Sequence, residues 1–226
     1  CMKIAIVVNV NRNMSLQETH SWAPGIVATN EAEQLTKMNQ EVRVYCTKNS
    51  SINAEMVSFD MLPLPDIFQD LNPAQKNIRE LYYKNLFHSK VINHLKLNPV
   101  DVIHLHDYRF FPLYQITDLG IPILVTIHGD FYTNFENMPE FIRDDLNKMN
   151  VISITSVDDL PEGIKPPVAV LPNIINVEKF GFIKNPSKNR FVYVGRVTEN
   201  KGVDIAIEAA AKANLSLDLF GPIEGD

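Results

Sequence analysis

Arg190-Phe-Val-Tyr-Val-Gly-Arg196-Val-Thr-Glu-Asn-Lys201-Gly-Val-Asp204 is the stretch from which the fold of this chain can be read. A short apolar run, Phe191 to Val194, stops at Gly195. Arg196 follows at once, then a polar turn, and Lys201 opens a helical pattern. Strand, glycine, cation, turn, cation, helix is how an α/β protein builds an anion site: backbone N–H groups at a helix start, the helix dipole behind them, and two side-chain charges. Arg offers a planar fork to phosphate oxygens, and Lys a compact charge. The rival reading is a solvated turn with two ordinary cations. The flanking Gly195 and Gly202, which leave room for a ligand at the backbone, favour the anion site.

The rest of the composition fits a folded globular chain. It has 226 residues, 45% of them apolar and 21% charged, enough for one large domain or for one domain and part of another. The net charge of −6 removes a bulk basic field, so nucleic acid is not an expected partner. Cys1 and Cys46 sit in no CxxC or Cys/His cluster, which points away from a disulfide framework or a zinc site and towards reduced, cytoplasmic thiols. Ile4–Val8 is too short to span a bilayer and is ended by Asn9, Asn11 and Arg12; it reads as a strand and not as a signal peptide.

Taken in order, the pattern alternates. Lys3–Val8 is a buried strand. Pro24-Gly25 opens a helix with Ala28, Ala32, Leu35 and Met38 at helical spacing, and Glu41–Cys46 is the next strand. Pro63 and Pro65 rule out a long helix before Asn72-Pro73, a cap residue and a first-turn proline. The helix that follows is read with Ile78, Leu81, Tyr82, Ser89, Ile92 and Leu95 on one face. Its Lys76, Arg79, Lys84, Lys90 and Lys96 form a solvated outer face or, in the sharper reading, a peripheral contact with the anionic inner membrane surface. Strands at Asp101–His106 and Ile121–Gly129, a helix at Pro139–Asn150 with Phe141, Leu146 and Met149 inward, and strands at Val151–Ser156 and Val168–Leu171 complete a first domain, residues 1–180. Residues 181–189 read as a linker, and 190–226 as a strand, a helix and a strand. The expected fold is α/β: a Rossmann-like, doubly wound parallel sheet followed by the first β-α-β of a second domain.

Ligands of open α/β sheets bind at the carboxyl ends of the strands. That rule selects Asn9 and the loop to Gly25, His106 and Asp107, His128 and Gly129, Asn173, and Gly195 to Lys201. His128 ends an apolar strand and is placed to bond a polar ligand or to move a proton, against the plainer reading of a histidine capping strand-end carbonyls. His104 reads as a satisfied core histidine, and His20, His88 and His94 as structural. No Gly-x-Ser-x-Gly, Walker loop, His-Glu-x-x-His or Gly-x-Gly-x-x-Gly is present, which disfavours a serine hydrolase, a P-loop NTPase and a standard dinucleotide dehydrogenase.

Four segments in order, Asp101-Val-Ile-His-Leu-His106, Ile121-Pro-Ile-Leu-Val-Thr-Ile-His128-Gly129, Val170-Leu-Pro-Asn-Ile-Ile-Asn176 to Phe180, and Phe191–Arg196 with Lys201-Gly202-Val203-Asp204 and Ala209, resemble the retaining GT-B glycosyltransferases of the fourth sequence family (group 1). The resemblance implies two Rossmann-like domains with the active site in the cleft between them. The first binds a glycan or lipid-linked acceptor, with His106, Asp107, Gly129 and Asn173 on that side. The second binds a nucleotide-sugar donor such as a UDP- or GDP-sugar. It implies that Arg196 and Lys201, with Gly195 and Gly25 at the backbone, take the donor diphosphate, and that His128 lies by the transferred sugar. No metal or other cofactor is implied, and no protein nucleophile. The chain departs from the family pattern in two places. Pro24-Gly25 stands where a Gly-Gly pair is usual, and the paired-glutamate motif of the donor domain has no counterpart before Asp226. The chain is therefore expected to hold an incomplete donor domain and to be impaired as a transferase. The alternatives are a GT-B sugar-nucleotide epimerase, and a non-catalytic acceptor- or partner-binding domain whose last strands complete the first sheet.

Overall fold

The computed structural model describes residues 1–15, 22–69, 71–106, 113–129, 139–157, 160, 162–175, 177, 180–186 and 188–223, with no side-chain description at 113 and 114. The chain divides into two compact units, Cys1–Asn176 and Val177–Asp226.

The first unit opens with β1 (Lys3–Val7), α1 (Ala23–Lys37) and β2 (Glu41–Tyr45), the expected βαβ. Then come β3 (Glu55–Val57), α2 (Leu64–Ile67), α3 (Pro73–Leu97), β4 (Val102–Leu105), α4 (Leu113–Thr117), β5 (Ile123–Ile127), α5 (Glu140–Leu146), β6 (Asn150–Ser153) and β7 (Ala169–Val170). The strands form one seven-stranded sheet in the order β3-β2-β1-β4-β5-β6-β7. Every neighbouring pair is parallel. The order runs outward in both directions from β1 and β4, so these strands flank the switch point where a doubly wound sheet opens a crevice at its carboxyl edge.

Strand periodicity divides the core into two. Ile4, Ile6 and Val8 of β1 join Val42, Val44 and Cys46 under α1, whose Ala28 and Ala32 are fully buried and let the helix lie close. Ala5 and Val7 face the other side, with Tyr45, Ile103, Leu105 and Val125 against Phe87, Val91, Ile92 and Leu95 of α3. Polar residues inside α1 are satisfied locally: Thr29 Oγ1 donates to Gly25 O at 2.7 Å and Asn30 Nδ2 to Ile26 O at 3.0 Å.

Several expected faces differ in the structure. Met38 is the C-cap of α1 and is exposed. Asn72 caps α3 as expected, its Oδ1 accepting from Gln75 N at 2.9 Å, but Ile78, Leu81 and Tyr82 are exposed. At 1.5 Å per residue a helix of this length runs about 37 Å, roughly twice the reach of a five-residue strand, so only its second half can lie on the sheet. Lys84, assigned to the solvated face, is buried there. Phe141 is exposed because the inward stripe of α5 runs through Ile142 and Leu146 to Met149. The short β3, α2 and α4 had no pattern to read; α2 is a single turn around Pro65. Among the described residues no helix is long and apolar enough to cross a membrane.

The second unit contains β8 (Arg190–Val194), α6 (Val203–Ala213) and β9 (Ser216–Phe220). β8 and β9 pair in parallel, from Arg190↔Ser216 to Val194↔Phe220, as a sheet of their own. Val203 is buried, whereas Val192, Val194, Ile205 and Ile207 are exposed, as one helix on two strands buries little.

The uneven burial of α3 gives a direct test. Phe87→Ala should lower unfolding stability by about 3–5 kcal/mol in urea titration, and Ile78→Ser should change it by less than about 0.5 kcal/mol. Equal effects at the two positions would contradict this packing.

Candidate functional site

Side chains alternate along a strand, so residues of like parity share a sheet face. The register Ile6↔His104 and His104↔Leu124 puts His104 and His106 of the β4 strand end, and Thr126 and His128 of the β5 strand end, on the α1 side with Ile4 and Ile6. The β1 ladder reaches as far as His106, whose N–H donates to Val7 O at 3.0 Å. From the helix side comes Glu31, one turn beyond Ala28 and one turn before Leu35.

These residues form one hydrogen-bonded chain. Glu31 Oε1 lies 2.6 Å from His104 Nδ1, and Oε2 lies 3.0 Å from His106 Nε2. His104 Nε2 is 2.8 Å from Thr126 Oγ1, and His106 Nδ1 is 2.9 Å from His128 Nε2. The rings of His104 and His106 have centroids 4.4 Å apart, and those of His106 and His128 5.2 Å apart. His104 and His106 are buried, His128 is half-buried and Gly129 is exposed, so the chain runs from the interior to the carboxyl edge of the sheet.

Two opposing effects set the charge. Burial raises the pKa of the Glu31 carboxyl, but the hydrogen bonds from His104 and His106, and then their charge, overcome it and hold the group below the ordinary carboxylate range. Burial pushes the His106 imidazole down; its bond to Glu31 opposes that shift and the charge of His104 adds to it. An ionised Glu31 beside a neutral His106 satisfies both, since a neutral N–H still donates to a carboxylate.

Glu31, His104 and His106 are also the one group of potential metal ligands found among the described residues, with ligand atoms within 4.8 Å of one another. Each donor nitrogen already points at a carboxylate oxygen within hydrogen-bond distance, however, which makes the cluster a satisfied polar network.

Gly25 is buried in the first turn of α1, and a Cβ there would collide with the Trp22 ring. The glycine thus has a packing reason of its own: it lets the indole lie across the helix start. Asn173 is exposed, three residues past β7 at the edge of the sheet. Asp107 lies outside the described residues.

Arg196, Lys201 and Gly195 belong to the second unit. Gly195 N donates to Phe220 O at 2.9 Å, and a short 3-10 turn, Glu199–Lys201, leads to Gly202 at φ 68° and into α6. The Tyr193 hydroxyl shares its proton between Arg196 O at 3.0 Å and Lys201 O at 3.3 Å, tying together the ends of the basic turn. Gly221, at φ 150°, meets the Gly195 carbonyl so closely that no Cβ would fit. The turn is held by its backbone, and Arg196 and Lys201 are both exposed on it.

The structure therefore joins His106 to His128 and adds Glu31, His104 and Thr126, while Tyr193 is added to the basic turn. Glu31 carried a signal in the sequence: an acid on the inward stripe of an otherwise apolar helix face. Tyr193 carried none, because its hydroxyl acts only on local carbonyls.

Comparison with known proteins gives the family. Residues 25–179 match the model of glycosyltransferase family 4. The chain belongs to that family. No match is found among curated protein sequences. Solved structures share the GT-B fold at low identity. The catalytic domain of starch synthase IV from Arabidopsis thaliana, bound to ADP and acarbose, superposes with a TM-score of 0.61 at 12% identity over 97% of this chain and 68% of that one. AviGT4, a glycosyltransferase involved in avilamycin A biosynthesis, gives 0.53 at 14% identity over 100% of this chain and 65% of its own. An α-glucosyltransferase in complex with UDP gives 0.54 at 12% identity over 100% and 59%. The chain thus spans less than two thirds of the length of the last two.

The network predicts acid sensitivity. Both the Glu31 carboxyl and the His106 imidazole have lowered folded pKa values, so the unfolded chain takes up more protons as pH falls and folding loses stability. For His106 the loss begins as pH drops below the ordinary 6.5, and for Glu31 below the ordinary 4.5. Thermal unfolding followed by circular dichroism should show a melting temperature that falls steadily from neutral pH through both windows, with the lower step missing in Glu31→Gln. A flat profile across them would contradict the assignment.

Proposed function

We propose that this member of glycosyltransferase family 4 moves a sugar from a nucleotide-sugar donor, a UDP- or GDP-sugar, to a glycan or lipid-linked acceptor with retention of configuration. The observation that carries this reading is the basic turn. Arg196 and Lys201 stand on a backbone loop fixed by Tyr193, Gly195 and Gly202, at the start of a helix whose dipole favours an anion.

A nucleoside diphosphate leaves readily only where its developing charge is stabilised. Fixed cations and N–H groups aimed at the departing oxygens do this without reorganising in the transition state. In this reading the two cations neutralise the diphosphate without a metal ion, and His128 bonds the transferred sugar. Residues 1–180 then carry the acceptor side, and 190 onward begins the donor side. Attack on the face the diphosphate leaves accounts for retention with no protein nucleophile. The family match supports the reaction class, and solved relatives bound to UDP and ADP support a nucleotide donor.

The test is turnover of radiolabelled UDP-, GDP-, ADP- and dTDP-sugars with glycan and lipid acceptors, with the anomeric configuration of the product read by NMR. One donor should be consumed with retention, and Arg196→Ala or Lys201→Ala should each lower turnover by about 100-fold. Undiminished turnover in both variants would overturn the role of the turn. An epimerised sugar nucleotide formed without acceptor would overturn the transfer reading.

A further inference from the structure

We infer that the outer face of α3 is a docking surface for an anionic lipid bilayer. The face is independent of the sugar-transfer reading, so vesicles that hold neither donor nor acceptor test it.

Helical spacing defines the face. Ile78, Tyr82 and Leu86 stand four residues apart and form one ridge. All three are exposed, Ile78 and Tyr82 each at 72%. At about 100° per residue, Tyr82 is half a turn away from Val91, which is fully buried with Phe87 and Leu95. The ridge therefore points away from the core that α3 joins. Its base is anchored. Tyr83, next in sequence, donates its hydroxyl proton to Leu62 O at 3.0 Å and meets the Phe68 ring edge-on, with centroids 5.9 Å apart. A ridge of large apolar side chains turned outward on an anchored helix marks a protein or membrane contact.

Charge selects the bilayer. Glu80 is the one acid in residues 73–97; it is half-buried and lies 3.9 Å from Lys76 Nζ. Arg79, Lys90 and Lys96 are exposed, and among the described residues none of the three is ion-paired. Lys90 Nζ instead lies 5.8 Å from the centre of the Phe59 ring. The outer face is thus apolar and cationic in a chain whose net charge is −6. At a lipid surface Ile and Leu enter the acyl boundary, a Tyr ring sits at headgroup depth, and Lys and Arg meet the lipid phosphates. A second copy of the chain fits less well, because a two-fold contact would set this cationic face against itself. Lysine is also depleted at the centre of protein interfaces.

Topology places the ridge. β3 and β4 belong to one parallel sheet, so α3, which lies between them in the chain, runs from the carboxyl edge back to the amino edge. Its far end is fixed there: Asp101 N donates to Lys3 O at 2.8 Å, at the start of β1. The first half of α3, with the ridge, is therefore at the carboxyl edge, where the Glu31 network ends at His128. A bilayer docked on it lies at the edge of the first unit that carries the candidate site.

Co-sedimentation with vesicles tests this, using phosphatidylcholine alone and an equal mixture of phosphatidylglycerol and phosphatidylcholine. The protein should bind the anionic vesicles about tenfold or more tightly than the neutral ones, and should be released as salt rises from about 0.1 M to about 0.5 M. Arg79→Glu with Lys90→Glu should weaken binding by more than about 20-fold, at about fivefold for each cation lost. Ile78→Ser with Leu86→Ser should weaken it by about tenfold. Phe141→Ser, at an exposed apolar residue of α5, should leave it unchanged. Equal binding to the two kinds of vesicle, or binding to neither, would overturn the proposal and needs no variant to fold. So would anionic-vesicle binding that survives both pairs of substitutions. A dimer in sedimentation velocity that Ile78→Ser with Leu86→Ser dissolves would give the face to a second copy and overturn the proposal too. If the vesicle results hold and no donor is consumed, the reaction assignment alone fails.

Discussion

A carboxylate held under a sheet between two imidazoles is the constraint on which the first unit's chemistry depends. Glu31 joins α1 to the β4 strand end with a bond to each of His104 and His106. An ion this enclosed is tolerated only when paired, because removing one partner leaves an uncompensated buried charge. The pairing fixes the height of α1 over the sheet, and the small Ala28 and Ala32 allow the approach it requires. It also fixes the rings. With both Glu31 oxygens engaged, each histidine has one orientation that satisfies its neighbours, and His128 is reached through His106. That chain runs from the interior to the strand end at the switch point of the sheet.

The basic turn of the second unit solves a similar problem with backbone in place of an ion. Its cations are useful to an anion only if the loop beneath them keeps its shape. The shared Tyr193 proton holds the two carbonyls that bracket the turn. Gly202 takes the left-handed conformation that starts α6, and Gly221 permits contact with the Gly195 carbonyl. Both clusters hold their hydrogen-bonding geometry within the fold.

Much of this was legible in the residues, for identifiable reasons. The β-branched runs and the helices between them dictate a parallel, doubly wound sheet, and strand ends rich in His and Gly mark its carboxyl edge. His104 reads as a satisfied core histidine, and it is one: Glu31 and Thr126 satisfy it. Glu31 escapes a reading based on apolar periodicity because that reading passes over charges, although its place between Ala28 and Leu35 turns it inward. The buried half of α3 was confused with its exposed half because helical spacing marks a stripe but not where the sheet beneath it ends. Ile78 and Tyr82 lie beyond that end.

In the proposed reaction the basic turn receives the diphosphate of a nucleotide sugar while His128 meets the sugar. Nitrogen-15 NMR titration of the protein, first with UDP and GDP and then with the matching nucleotide sugars, tests both parts together. A nucleoside diphosphate should shift the amides from Gly195 to Gly202 and leave the His128 ring still, and the nucleotide sugar should move both. Shifts that leave the Gly195–Gly202 amides unmoved, or a nucleotide sugar that binds without perturbing His128, would contradict it.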